Sequence, residues 1–386
     1  MRIAYCLNSI SYVGGIEKIT SAKANALSDI PGNEVYVIVT DCPEGVAVAS
    51  DRLSPKVRLV DLAVGYYADD WKSRYHVLKG IFVKRRLHKK RLRSVLYEIR
   101  PDVVISVGLS EKYILPEIKG DWVTVREFHF RKDFRLLTDG TPIDKLMAVL
   151  NNFYDYRCKI RHYDHIVTLT HEDRERNWKN CKNISVIPNM LTFPRSDSLP
   201  MENKKVIAVG RLVGVKNFWS LIHAFRTVAD HHPDWSLDIC GDGPEREILQ
   251  MLIYELRLEN NVFLCGHAVH VRDKMRGASL FVLSSLFEGM PLVMLEAMSC
   301  GLPVVSYDCP CGPKDIITDG EDGLLVSAGD ERMLAEKICW LIENPDQRLK
   351  MGAAALKKAD NYRPEKIVPM WQNLFDRLLA EKRGKC

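Results

Sequence analysis

Twice along this chain a short apolar strand runs into a glycine-bearing turn and then a helix, and the second time the pattern starts afresh. Ile3 to Leu7 is the first such strand, followed by Ser9-Ile10-Ser11-Tyr12-Val13-Gly14-Gly15-Ile16-Glu17 and a helical pattern through Leu27. Lys205-Val206-Ile207-Ala208-Val209-Gly210 is the second, followed by Arg211-Leu212-Val213-Gly214-Val215-Lys216-Asn217 and a helix to about Ala229. Short apolar runs bounded by turn residues read as strands buried on both faces. Val35–Thr40, Val57–Leu62, Asp102–Val107, Trp122–Arg126, Ile166–Leu169 and Ile184–Ile187 continue the first series. Leu237–Cys240, Val262–Gly266, Leu280–Leu283, Pro303–Tyr307 and Gly323–Val326 continue the second. Helical stretches lie between them, including a single long helix expected over Ile143–Tyr163. Strands alternating with helices in two series predict an α/β chain of two doubly wound parallel sheets, each holding ligands beyond the carboxyl ends of its strands.

The length of 386 residues accommodates two such domains. Pro188-Asn189 and the polar, proline-bearing stretch after it read as a hinge. This predicts a first domain over 1–190, a linker over 191–203 and a second domain over 204–365, with 366–386 left as a terminal helix.

The stretch with the densest chemistry is Ser285-Leu286-Phe287-Glu288-Gly289-Met290-Pro291-Leu292-Val293-Met294-Leu295-Glu296-Ala297. It follows the strand Leu280–Leu283 and reads as a turn and then a helix, with Pro291 at the first helical position. The free N–H groups at such a helix start bind anions and hydroxyls. Glu288 in the turn and Glu296 on the second helical turn can accept only hydrogen bonds when ionised, which suits the vicinal hydroxyls of sugars. The bland alternative is a helix cap and a solvated surface glutamate. Arg211 and Lys216 share one strand-end loop, where a planar fork and a point charge suit a diphosphate. Gly14 and Gly15 form the corresponding turn in the first half, with Glu17 just inside the helix. Gly241 follows the strand ending at Cys240, and His267 follows Gly266. His129 follows a strand end and reads equally as a satisfied structural residue or as part of the site.

Charge is uneven although the formal net value is only +5. Between Trp71 and Arg93 the cations Lys72, Arg74, Lys79, Lys84, Arg85, Arg86, Lys89, Lys90, Arg91 and Arg93 occur with no acidic residue among them. Aromatic and aliphatic residues interleave, so the stretch reads either as a solvated helix face or as a surface for anionic lipid head groups. No recognition motif accompanies the charge, so nucleic acid is not expected as a partner. The 11 cysteines lack metal-ligand spacing and read as thiols in a reducing cytosol. The N-terminus lacks the layout of a signal peptide and no apolar run is long enough to span a bilayer, so a cytoplasmic location is expected.

The run from Glu288 to Glu296, with Ala297-Met298-Ser299-Cys300-Gly301-Leu302-Pro303-Val304-Val305 after it, resembles the glutamate–seven residues–glutamate motif of retaining glycosyltransferases of family 4 (glycosyl transferases group 1). The Gly-Gly-x-Glu of Gly14, Gly15 and Glu17, the Gly-Arg and lysine of Gly210, Arg211 and Lys216, and Pro188-Asn189 are also similar to that family. The resemblance implies the GT-B fold, two Rossmann-like domains facing an interdomain cleft, with the terminal helix crossing back towards the first domain. It implies transfer of a sugar from a nucleotide diphosphate sugar, UDP by the commonest usage, to a hydroxyl of a glycan or lipid-linked glycan in surface polysaccharide biosynthesis. Donor binding then falls to Gly14, Gly15, Arg211, Lys216, Gly241, Glu288, Gly289, Met290, Pro291, Leu292 and Glu296, with His267, Ala268 and Val269 at the base. Glu17 falls on the acceptor side. His129, Glu288, Arg211 and Lys216 are the residues assigned to catalysis. No Asp-x-Asp sequence occurs, so no metal or cofactor is expected. Attachment through 71–93 would make the protein peripheral at the inner face of the cell membrane. A nucleotide-sugar epimerase or hydrolase of the same fold, or a non-catalytic sugar-binding subunit, are the alternatives.

Overall fold

The structure is a computed structural model. It describes every residue except 12–13, 43–51, 67–73, 131–140, 195–202, 268–269 and 385–386, with side chains of 74–82 also outside the description. Ala268, Val269, Trp71 and Lys72 therefore lie outside the described residues. The chain divides into two compact units, one of residues 1–169, 174–190 and 364–386, the other of 170–173 and 191–363.

The first unit is built on seven strands: β1 (Arg2–Leu7), β2 (Glu34–Val39), β3 (Val57–Asp61), β4 (Val103–Ser106), β5 (Val123–Glu127), β6 (His165–Thr168) and β7 (Ile184–Val186). Their spatial order is β3-β2-β1-β4-β5-β6-β7, and every neighbouring pair is parallel. Five of six residues of β1 are buried, as are all of β4 and β5, because helices cover both faces. α1 (Gly15–Ser28) follows β1, α2 (Arg74–Ile99) precedes β4, and α3 (Pro142–Tyr154) and α4 (His171–Asn177) flank β6. Thr141 starts α3 with a capping box, its hydroxyl accepting from the Asp144 N–H while the Asp144 carboxylate accepts from the Thr141 N–H.

The long helix expected over Ile143–Tyr163 is interrupted. α3 ends at Tyr154, a π-helical turn spans Asp155–Lys159 and a 3-10 turn spans Ile160–His162. The physical reason is Asp155, whose carboxylate turns inward to accept from Lys112 Nζ at 2.8 Å and from the Tyr113 hydroxyl. A widened turn is how a helix aims one extra side chain at a buried partner.

The second unit carries β8 (Lys205–Val209), β9 (Ser236–Cys240), β10 (Val262–Gly266), β11 (Leu280–Leu283), β12 (Val304–Tyr307) and β13 (Gly323–Val326), ordered β10-β9-β8-β11-β12-β13 and parallel throughout. α5 (Phe218–His231), α6 (Arg246–Glu255), α7 (Val271–Arg276), α8 (Leu292–Ser299), α9 (Pro313–Ile316), α10 (Glu331–Glu343) and α11 (Pro345–Ala359) alternate with these strands or follow them. The core runs from Leu221 and Phe225 of α5 through Leu237 and Ile239 of β9 to Ile338 of α10. Pro291 precedes the first helical residue of α8 instead of occupying it. Its ψ of 98° is extended while its carbonyl already accepts from the Met294 N–H at 3.1 Å, which is the behaviour of an N-cap.

α12 (Pro364–Arg383) belongs to the first unit although it follows the second in sequence. Its buried stripe, Ile367, Val368, Trp371, Leu374, Phe375 and Leu378, has helical spacing. Gln372 accepts from the Asn33 side chain at 3.2 Å, and Lys382 Nζ donates to the Trp122 carbonyl at 2.7 Å. Among the described residues no helix is long and apolar enough to cross a membrane. Cys6, Cys240, Cys300 and Cys309 are buried, and burial holds the Cys300 thiol up at about 11.

Two predictions arise from this packing. Trp371 is 1% exposed, with its ring 4.7 Å from Lys23 Nζ. Trp371→Ala should therefore destabilise the first unit by ~3–5 kcal/mol, read as a lower urea midpoint for that unit; a loss under ~1 kcal/mol would show that α12 contributes little to it. Burial also holds His88 down to about 4, and burial together with Arg377 does the same for His165. Both are neutral when folded and take up a proton on unfolding below 6.5. Their contribution to stability is thus complete above that pH and lost as pH falls from 6.5 to about 4. Imidazole NMR titration should show both midpoints near 4, and a midpoint near 6.5 for either would remove it from this account.

Candidate functional site

Strand order in each sheet reverses once. In the second unit the reversal lies between β8 and β11, the place where open parallel sheets hold ligands beyond the carboxyl ends of their strands. The loop after β8 carries Arg211 and ends in a 3-10 turn, Gly214–Lys216. Asn217 then adopts a left-handed φ of 50° and turns the chain into α5. The loop after β11 is stitched to it: the Leu286 N–H donates to the Val215 carbonyl and the Ser284 hydroxyl to the Lys216 carbonyl, both at 2.8 Å.

That stitching brings two predicted residues together. Lys216 Nζ lies 2.6 Å from Glu288 Oε1, and the Ser285 hydroxyl donates to the same oxygen at 2.6 Å. The Glu288 side chain is 12% exposed and that of Lys216 21%, so the pair is sheltered but reachable. Burial and then the Glu288 charge push the neighbouring Cys309 thiol well above its ordinary range. Arg211 is exposed on the same loop as Lys216, with no ion-pair partner among the described residues. A free guanidinium, an ammonium and an adjoining carboxylate can take an anion and hydroxyl groups side by side.

Glu296 is not a solvated surface residue. It is 4% exposed on α8, and its Oε1 accepts from the Thr192 hydroxyl at 3.2 Å. Met290 and Pro291 are buried, while Gly289 and Leu292 are half-buried at the start of α8. Gly241 must be glycine: its φ is 152°, and a Cβ there would lie 1.8 Å from the Gly210 carbonyl oxygen. Its N–H donates to the Gly266 carbonyl at 2.8 Å, which ties the ends of β9 and β10 together. His267 is exposed in the turn after β10. The loop after β12 is anchored by Glu172, whose carboxylate accepts from the Cys311 N–H at 2.8 Å.

In the first unit the reversal lies between β1 and β4. Here a cavity of ≈ 150 Å³ opens, with Glu17, Lys112, Arg126, His129 and Asp155 among its lining residues. The sequence pointed to Glu17 and His129. Glu17 folds back over the start of α1, so that a Cβ on Gly14 would lie 2.1 Å from its Oε2, while Gly15 is exposed as the first helical residue. The His129 side chain is 5% exposed, and its Nε2 lies 3.2 Å from Glu127 Oε1, off the direction of a hydrogen bond. Burial lowers the His129 pKa against the pull of Glu127, so the imidazole is neutral at pH 7. Burial alone would raise Glu127, but Lys23 and His129 hold it down to about 2.

The sequence reading passed over Glu111, Lys112, Arg126, Glu127 and Asp155. Arg126 donates to Ser106 Oγ and to the Gly108 carbonyl, each at 2.6 Å, and lies 3.6 Å from Glu111. One signal was available: Arg126-Glu127 closes a strand that begins Val123-Thr124-Val125, and buried charges there require partners.

Residues 191–358 match the model for glycosyl transferases group 1. An uncharacterized glycosyltransferase of Haemophilus influenzae is 33% identical, over 97% of this chain and 99% of its own length. The lipopolysaccharide core biosynthesis glycosyltransferase LpsD of Rhizobium meliloti is 28% identical over 79% of this chain and 84% of its own. Among solved structures, a mutant of S. aureus TarM in complex with fondaparinux, alpha-GlcNAc-glycerol and UDP superposes with a TM-score of 0.78 at 15% identity, covering 97% of this chain and 99% of that one. With both parallel sheets of the GT-B fold present and a relative matched along nearly its whole length, this chain belongs to the glycosyl transferases group 1.

Proposed function

We propose that this chain is a retaining hexosyltransferase of family 4, moving a sugar from a nucleotide diphosphate sugar to a hydroxyl of a glycan or lipid-linked glycan. The observation that carries this reading is the 2.6 Å pairing of Lys216 with Glu288 at the strand reversal of the second sheet, beside the exposed Arg211. UDP-hexose or UDP-N-acetylhexosamine is the proposed donor, and surface polysaccharide the proposed product. The R. meliloti relative acts in lipopolysaccharide core biosynthesis and the TarM crystal holds UDP, and both support that choice.

In this reading Arg211 and Lys216 contact the diphosphate and hold the charge that grows on its leaving oxygen. The bond from the anomeric carbon to that oxygen breaks while the acceptor hydroxyl bonds to the same face of the carbon. The hydroxyl proton passes to the departing phosphate. Glu288, with the N–H groups of Gly289, Met290 and Leu292 near it, orients the donor sugar, and Glu296 accepts from the ribose hydroxyls. His267 and the two residues after it receive the base, and Gly241 keeps the strand ends close to the nucleotide. In the first unit Gly14 and Gly15 let the turn approach the ligands, Glu17 serves the acceptor, and neutral His129 faces the donor sugar. With two cations on the leaving group, we propose no metal requirement. The exposed Arg86, Lys90 and Arg93 of the 71–93 segment are proposed to hold the protein at the inner face of the cell membrane.

Arg211→Ala and Lys216→Ala should each slow transfer about 10²–10³-fold, as the loss of one oxyanion stabiliser does; near-normal turnover in both would remove the assignment. Glu296→Gln should weaken binding of bare UDP in calorimetry, whereas Glu288→Gln should spare UDP binding and depress transfer. The reverse pattern would exchange the two roles. Transfer should persist in EDTA, and a complete loss restored by magnesium or manganese would overturn the metal-free mechanism.

A further inference from the structure

α3 leaves almost all of its apolar side chains in solvent. Ile143 is 72% exposed and Phe153 63%, and Leu146, Met147, Val149 and Leu150 are each at least half exposed. Ala148 is the buried residue of this helix. An isolated exposed leucine needs no explanation, but six large apolar side chains on thirteen residues of helix make a contiguous patch of the kind that binds something.

The neighbouring chemistry says what. Glu117 accepts from Lys89 of α2 at 2.9 Å and from Lys159, just beyond α3, at 2.8 Å, and Arg85 lies 3.3 Å away. Tyr113 bridges the same elements, with its ring 6.2 Å from that of Tyr154 and 6.0 Å from the Arg85 guanidinium. The end of the apolar helix therefore abuts the cationic helix. Along α2 a shallow groove is lined by Arg86, Lys89, Lys90, Arg93, Ser94 and Tyr97. Lys84 donates to the Gly65 carbonyl and Arg91 to the Leu62 carbonyl, so these cations are spent inside the unit. Arg86, Lys90 and Arg93 are exposed and have no acidic partner among the described residues. Arg157 and Arg161, on either side of Lys159, add exposed cations just beyond the same end of α3.

From this apolar ridge abutting a cationic groove we infer that α3 is the element that enters an anionic lipid surface, with Arg86, Lys90 and Arg93 holding the head groups. Apolar side chains that enter the head-group boundary and cations that attract its negative charge are the two halves of interfacial binding. The inference gives the membrane attachment proposed above its penetrating element, and it does not depend on the proposed transfer reaction.

Vesicle co-sedimentation of the full chain tests it, with neutral phosphatidylcholine against phosphatidylcholine containing phosphatidylglycerol, at low and high salt. Two variants separate the halves: Leu146→Ser with Leu150→Ser and Phe153→Ser, and Arg86→Glu with Lys90→Glu and Arg93→Glu. All six positions are exposed, so folding should be kept, which circular dichroism and UDP calorimetry check. Wild type should bind anionic vesicles and lose affinity in salt. The charge variant should fall ~100-fold at low salt, and the apolar variant at least about tenfold at either salt. Equal binding of wild type to neutral and anionic vesicles, or an apolar variant that binds like wild type, would overturn the inference. So would wild type that ignores vesicles but dimerises in sedimentation velocity, with the apolar variant monomeric, because the ridge would then seat a second copy.

Discussion

The polar groups of each unit are gathered by a constraint on winding. Crossovers between parallel strands are right-handed, so a sheet that grows outward in both directions from a central strand must reverse its winding at one place. In this chain those places are β1/β4 and β8/β11. Lys216 and Glu288 are 72 residues apart in sequence and meet at one reversal. Glu17, Arg126 and His129 line the cavity at the other. The apolar strands are what allow this, because helices on both faces fix every backbone position at the strand ends.

The two reversals handle charge differently. In the second unit the Lys216–Glu288 pair keeps some access to solvent and Arg211 is exposed, so an incoming anion meets cations that are not fully committed. In the first unit Lys23 and Glu127 are buried against each other, and burial pushes the Glu111 carboxyl upward against the pull of Arg126. Removing one partner of such a pair leaves a buried charge uncompensated, a loss of ~3–5 kcal/mol. Arg126 is held at the cavity wall by its bonds to Ser106 and to the Gly108 carbonyl. The Lys23–Glu127 pair also draws on the end of the chain, since Trp371 of α12 covers the Lys23 ammonium. The geometry of this cavity therefore depends on a helix that enters the sequence only after the whole second unit.

α3 runs against the pattern of α12. On α12 apolar spacing marks what the helix buries, and Trp371, Leu374, Phe375 and Leu378 all face inward. On α3 the same spacing faces out. A hydrophobic stripe on a helix states that something covers it, and states nothing about whether that is the chain's own core.

The sequence by itself determined the two sheets, the strands within a residue or two, and the residue types able to hold a diphosphate and hydroxyls, because these are written in local periodicity and turn chemistry. Arg211, Lys216, Glu288 and Glu296 were singled out on those grounds and on the resemblance of the motifs that hold them. Tertiary structure alone decided that Glu296 is buried against Thr192, since a glutamate on a helix has no local sign of which face is covered. It decided the π turn at Asp155, because the pull of Lys112 and Tyr113 comes from more than 40 residues away. It likewise decided that Lys84, Arg85, Lys89 and Arg91 of the basic segment turn to acceptors within the first unit, leaving fewer cations at the surface than a count of charges suggests. Each of these outcomes rests on a partner distant in sequence, and a local pattern carries no record of such a partner.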